Sequence, residues 1–279
     1  MGSAWVLKED QPRQHFEFGK NWHSFLKVVD EERIAEAENS LRAMLETDSL
    51  AGKSFLDAGA GSGLFSLAAV RLGAVRVHSF DYDAACVACA RELKRRYAQD
   101  ARQWTIERGS VLDNAYLSSL EQFDIVYCWG VLHYCGDMWK GMANVVQLVM
   151  PGGKLFVAVF NDQGVKSRRW NTIKRLYNSG IISRVAIGSL MIAYFVLRAL
   201  AEDALWLRNP LVRYRMYKKR RGMSMVHDWF GWLGGYPWEG ASPEAVFEFY
   251  KRKSFVLTKL KTAGGKSGNN QFVFLKTGV

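Results

Sequence analysis

Proline is scarce, with five in 279 residues, and the 25 glycines follow no repeat. That excludes a proline-rich linker and a collagen-like chain. Cysteine is scarce too. Four residues (86, 89, 128 and 135) are too few and too oddly spaced for a disulfide framework. Cys86 and Cys89 make one C-x-x-C pair, with no second pair to complete a tetrahedral zinc site, so no metal is expected. Cys128 and Cys135 read as small buried residues. This cysteine usage predicts a reducing, cytoplasmic setting. No run of about 20 apolar residues stands out, so the sequence predicts no membrane span. The start is polar (Lys8, Glu9, Asp10, Arg13) and lacks the apolar core of a signal peptide. Internal repeats and low-complexity tracts are also missing.

Hydrophobic residues make up 49% of the chain and charged residues 23%, an ordinary globular mixture with ample length for a core. The net charge of +11 is confined to one place. Residues 165–221 hold fourteen Lys and Arg against two acidic residues, Glu202 and Asp203; the rest of the chain holds 24 against 25. A charge block this local is a feature of interaction, not of fold.

Short apolar runs alternate with helical periodicity from residue 28 onward. Residues 28–46 predict a helix with Val28, Ile34, Ala37, Leu41 and Leu45 inward. Strands are predicted at 54–58, 75–80, 104–107, 123–129 and 154–160, with helices at 62–72, 84–98 and 137–149 and a turn at Pro151-Gly152-Gly153. Such alternation predicts a parallel sheet covered on both faces. It stops at 160 and resumes at Ser242-Pro243-Glu244, a helix start. Two closing strands follow, at 255–260 and 271–276. The chain therefore divides into an N-terminal lid and helix (1–48), a core (49–164), a helical basic insertion (165–241) and the closing helix and strands of the core (242–279).

The chemistry-bearing motif is Asp57-Ala58-Gly59-Ala60-Gly61-Ser62-Gly63. A strand ends in a carboxylate, glycine recurs at every second position, and a helix begins. Glycine lets backbone approach a ligand closely, and the new helix offers free N–H groups. A nucleotide-like ligand over the carboxyl edge of the sheet fits this pattern. Leu64 stands where the dinucleotide fingerprint needs its third glycine, which weakens a nicotinamide reading. Asp81 ends the second strand, where a carboxylate accepts ribose hydroxyls.

With Gly109-Ser110-Val111-Leu112-Asp113, Trp129-Gly130-Val131-Leu132-His133 and Pro151-Gly152-Gly153 in the same order, residues 50–160 resemble the class I S-adenosylmethionine-dependent methyltransferases. Phe18-Gly19-Lys20-Asn21-Trp22 looks like the lid of the polyprenyl-hydroxyphenol methylase-like branch. The resemblance implies a Rossmann-like α/β fold with a seven-stranded sheet in the order 3-2-1-4-5-7-6, the seventh strand antiparallel. It implies S-adenosyl-L-methionine as cofactor. Phe18 and Trp22 would lie in the lid, Asp57, Gly59, Gly61 and Gly63 under the methionine half, Asp81 on the ribose, Tyr82, Ser110 and Val111 around the adenine, and Trp129 on the methyl-donor side. The sequence departs from the branch at His133-Tyr134-Cys135-Gly136-Asp137, where His-His-Thr-Gly-Asp is common.

Methyl transfer to a hydroxyl benefits from a base near neutral pH. His133, His227 and Asp228 are the candidates, each with a packing or capping alternative. Asn269 and Asn270 are candidates for substrate contact or for turn formation. The expected reaction is O-methylation of a saccharide or other small polar acceptor, with a lipid-linked form included. A quinone-like phenol or a nucleic acid is the alternative acceptor, and a cofactor-binding scaffold or membrane-recruitment module is the non-enzyme alternative. Residues 185–197 carry no charge between Arg184 and Arg198. They predict either a cap over the pocket or a helix lying on the inner face of an anionic membrane. Nucleic acid ranks third as a partner of the basic insertion. Trp229, Trp232, Tyr236 and Trp238 suit stacking on a ring or packing against the core. Oligomeric state stays open.

Overall fold

The computed structural model describes residues 19, 22, 25–206, 209 and 233–278. Seven strands form one sheet: β1 (Ser54–Ala58), β2 (Arg76–Asp81), β3 (Trp104–Arg108), β4 (Phe123–Trp129), β5 (Val149–Phe160), β6 (Phe255–Lys261) and β7 (Asn269–Lys276). Their order is β3-β2-β1-β4-β5-β7-β6, as the resemblance implies. The first five are parallel, and β7 pairs antiparallel with both β5 and β6.

Every residue of β1 is buried, because helices cover both faces of the sheet centre. On one face lie α1 (Glu31–Leu45), α2 (Leu64–Arg71) and α3 (Ala84–Tyr97), packed on Phe55, Val77, Tyr127 and Phe156. On the other lie α4 (Asn114–Ser118), α5 (Met138–Val146) and α8 (Pro243–Lys251), packed on Leu56, Val126, Val157 and Phe274. Neighbouring strand residues thus serve opposite cores, as the two-residue period requires. Side-chain caps start the helices: Asp30, Asp83, Asp113, Asp137 and Ser242 each accept a backbone N–H from the first turn.

Two local expectations change. Pro151 to Gly153 lie inside β5, not in a free turn, and the β4–β5 register shifts between Phe123 and Ile125. A Cβ at Gly153 would sit 2.9 Å from the Asp124 carbonyl oxygen, so this irregularity needs glycine.

The insertion leaves the sheet at its carboxyl edge and forms α6 (Val165–Tyr177) and α7 (Ile181–Leu205). The second change is here. Helix α7 has 25 residues and is long and apolar enough, by length and composition, to cross a membrane. The charges at 184 and 198 interrupt the sequence run without ending the helix. Leu233 returns the chain to pack on Tyr177 and Met191. Ala241 then bridges to Asn161 beside the end of β5.

Candidate active site

The parallel strands all end at one edge, where β1 and β4 part their connections to opposite faces of the sheet, and a cleft opens there. It holds a cavity of about 640 Å³ lined by the β1–α2 loop, the ends of β2 and β4, the loop after β3, and Trp22 and Tyr236.

Asp81 is the centre of its polar side. One carboxylate oxygen accepts the Gly61 N–H at 2.9 Å and the other accepts the Asp83 N–H at 2.9 Å. Each oxygen keeps acceptor capacity for two vicinal hydroxyls. Burial raises its pKa, while the Asp83 and Gly61 N–H groups oppose that rise. The glycine loop hangs from the same strand, with the N–H groups of Gly59 and Ala60 both donating to the Phe80 carbonyl, at 2.8 and 3.0 Å. Gly59 has φ +83°, and a Cβ there would lie 2.3 Å from Val131 Cγ2, so the loop closes only with glycine.

Asp57 lines the cavity floor and is buried. Ser66 Oγ donates to it at 2.5 Å, Ser79 Oγ donates to Ser66 at 2.7 Å, and Trp104 Nε1 donates to Ser79 at 2.7 Å. Burial pushes the Asp57 carboxyl up to about 7, with the nearby Asp81 charge adding to the rise.

Tyr82 is exposed beside the cavity, its ring 5.7 Å from the Arg108 guanidinium carbon. Ser110 and Val111 line the opposite wall. Ser110 Oγ accepts the Leu112 N–H, and Asn144 from α5 donates to the Val111 carbonyl at 2.8 Å. Trp22 lies on the glycine loop, so that a Cβ at Gly61 would sit 2.8 Å from its ring. The lid is pinned by the Gly19 N–H to Asp83 at 2.9 Å. Trp129 is partly exposed and borders the cavity.

The structure therefore brings Trp22, Asp57, Gly59, Gly61, Asp81, Tyr82, Ser110, Val111 and Trp129 around one cavity. Gly63 supports the loop from behind, where a Cβ would meet Ala90 at 2.9 Å. Phe18, His227 and Asp228 lie outside the described residues, as do Trp229 and Trp232. His133 does not line the cavity. Its ring is buried between Tyr134 (4.3 Å) and Phe160 (4.7 Å), its Nδ1 has no hydrogen-bond partner, and burial with the Lys174 charge pushes its pKa down to about 3. Tyr134, the departure from the branch motif, reaches the cavity instead. Asn270 is buried and ties strand ends together, donating to Asn161 Oδ1 and accepting the Ala263 N–H. Among the described residues no cluster of three metal-ligating side chains occurs.

Sequence reasoning missed Ser66, Ser79, Asn144 and Phe65. Ser66 and Ser79 were legible only as polar residues inside apolar segments. A second hollow, of about 470 Å³, opens on the far side of Phe65 and Trp129 and is edged by Glu36, Asn39, Ser40, Lys261 and Gln271. Three of its lining residues, Trp129, Gln271 and Lys261, lie in one cross-strand row that passes through the buried Ala158.

Residues 56–155 match the family model for a methyltransferase domain. The ubiquinone biosynthesis O-methyltransferase of Pseudomonas paraeruginosa is 35% identical over 118 residues, 42% of this chain and 48% of that one. The chain thus spans about half the length of the curated relatives it matches. Among solved structures, an O-methyltransferase family protein from Burkholderia thailandensis superposes with TM-score 0.54 at 11% identity, over 92% of this chain and 59% of that one. The magnesium protoporphyrin IX methyltransferase of Synechocystis, with S-adenosylhomocysteine bound, gives 0.54 at 10% identity over 92% and 95%. Residues 56–155 thus form a methyltransferase domain by that match, on the strand order that the class I resemblance implies.

Proposed function

We propose that this protein methylates a hydroxyl of a small polar acceptor, a saccharide in the first instance, with S-adenosylmethionine as donor. The observation that carries the donor is the half-buried Asp81 carboxylate set beside a positive-φ glycine loop in a cavity of about 640 Å³. When bound, the cofactor supplies a methyl group on a positively charged sulfur. Asp81 would hold the ribose hydroxyls, and Trp22 would exclude water above the glycine loop. Trp129 stands between the donor cavity and the polar hollow, so an acceptor seated there presents its oxygen past that ring. Glu36, Asn39, Lys261 and Gln271 supply the donors and acceptors that a polyhydroxylated ligand needs. The donor is already activated, so in-line positioning provides most of the rate. The hydroxyl proton leaves to a base or to water. His133 is one layer behind Tyr134, so the base role falls first on His227 or Asp228.

A second reading is favoured by the curated relatives, which are ubiquinone biosynthesis O-methyltransferases: the acceptor is a quinone-like phenol. A phenol is more acidic than a sugar hydroxyl and needs the base less.

Calorimetric titration with S-adenosylmethionine and S-adenosylhomocysteine tests the donor. Micromolar binding, about −8 kcal/mol, is expected and should be lost in Asp81→Ala. No binding of either ligand, or equal binding by the variant, overturns the reading. Release of S-adenosylhomocysteine on a panel of glycosides and dihydroxyphenols then tests the acceptor. Saccharide turnover with a raised KM in Lys261→Ala supports the first reading, and turnover of phenols alone replaces it with the second.

A further inference from the structure

Helix α7 has an inner and an outer face. Gly188, Met191, Ala199 and Asp203 recur at helical spacing and are buried. Away from that line Ile182, Leu190 and Leu197 are 84%, 69% and 66% exposed, and Val185, at its edge, is 65% exposed. Ala186, Ser189, Ala193 and Tyr194 fill the surface between them and are exposed as well. An uninterrupted apolar stripe of this length on a protein surface marks a contact with something apolar.

The charge beside the stripe indicates what that is. Helices α6 and α7 together carry seven basic residues against two acidic ones near the end of α7, the buried Asp203 and Glu202, which pairs with Arg198 at 2.9 Å. Six of the seven are exposed: Lys166, Arg168, Arg169 and Arg175 on α6, and Arg184 and Arg198 on α7. An apolar stripe rimmed by cations complements an anionic bilayer, with acyl chains against the stripe and headgroup phosphates against the guanidinium groups.

The path of the chain decides between crossing and lying flat. Met191, at the middle of α7, packs on Tyr177 of α6 and on Leu233 beyond α7. The chain is anchored at the sheet edge before the insertion by Asn161 and after it by Ala241. A crossing helix would leave its midpoint in hydrocarbon and one end on the far side. Among the described residues no second helix is long and apolar enough to bring the chain back. Leu233, under α7, is also only three residues from Tyr236, which lines the donor cavity.

We propose that α7 is an in-plane docking helix that seats this protein on anionic bilayers, with α6 gripping headgroups and the cavity mouth held close to the lipid surface. The inference stands apart from the proposed methyl transfer, because docking needs neither donor nor acceptor.

Flotation of the full chain with vesicles tests it. Vesicles of phosphatidylcholine with phosphatidylglycerol should carry the protein upward, and vesicles of phosphatidylcholine alone should not. The double variant Leu190→Glu with Leu197→Glu should lose more than about tenfold in partitioning, and Arg168→Glu with Arg169→Glu should lose most of the anionic preference. Both variants should keep S-adenosylhomocysteine affinity and circular dichroism, which separates lost docking from lost folding. Alkaline carbonate should release the bound protein. Equal flotation of wild type and variants, or no flotation at all, overturns the proposal, and retention in carbonate overturns the in-plane arrangement. A concentration-dependent dimer broken by Leu190→Glu, seen by sedimentation, would give the face to a second copy instead.

Discussion

Asp57 shows how one buried carboxyl links site and stability. Its folded pKa stands near 7, above the ordinary aspartate value of 3.8. The folded state therefore keeps a proton that the unfolded chain has already lost between those values, and stability falls as pH rises from about 4 to 7. Above 7 both states are ionised and the full cost of the buried charge persists. Asp57→Asn removes this dependence. Thermal melts should show the variant and wild type alike near pH 4, and the variant more stable at pH 8 by roughly 2–4 kcal/mol, given about 1.4 kcal/mol per pKa unit. The glycine loop makes a second residue-scale case. Gly59→Ala puts a Cβ against Val131 at a positive φ. Expected is a loss of roughly 1–3 kcal/mol in a denaturant melt, with weakened cofactor binding. Val131→Ala in the same chain should restore part of both, since it removes the clash but not the strain.

At the scale of elements, Asp83 joins three pieces. It caps α3 by accepting the Ala85 N–H, its own N–H donates to Asp81, and its other oxygen accepts the Gly19 N–H of the lid. Asp83→Ala should cost about 1–2 kcal/mol in melting. It should also speed cofactor release, read by stopped-flow fluorescence of the tryptophans, because the lid loses its anchor. Asp83→Asn should keep most of the cap and show a smaller effect on both. The segment at Gly19 and the Asp81 carboxylate are thus coupled through one short loop, β2 to α3, rather than through the body of the sheet.

Over the whole molecule, a buried cation ties the start of the insertion to its end, where Trp238 packs on Phe160 of β5. Lys174 of α6 is fully buried, with Nζ 3.4 Å from the Gly235 carbonyl and 5.9 Å from the Trp238 ring. Burial pushes its pKa down to about 7, from 10.5. The unfolded chain then binds the extra proton between pH 7 and 10.5, so stability rises across that window, and the cost of burial is greatest below pH 7. Lys174→Met should stabilise the protein at pH 7 by about 4 kcal/mol at most and converge on wild type near pH 10. A calorimetric melt at the two pH values checks this. If methionine destabilises at both, the ammonium is held by contacts worth more than its desolvation.

Much of the architecture was legible in the sequence by itself. The alternation of short apolar runs with helical periods implied a covered parallel sheet, since both patterns report which faces are buried. Asp57, the alternating glycines and Asp81 were legible because backbone geometry there admits few residue types, and the methyltransferase resemblance supplied the strand order. Other features depended on contacts between segments far apart in the chain. Ser66 and Ser79 became a relay to Asp57 only when α2 packed on β1 and β2. His133 pointed toward chemistry as a residue type, but the fold seals its ring behind Tyr134. The length of α7 was hidden by Arg184 and Arg198, because an apolar count stops at a charge while a helix does not. Burial is a property of the assembled chain: the sequence determined which side chains prefer to leave water, and the tertiary structure decided which of them find a partner.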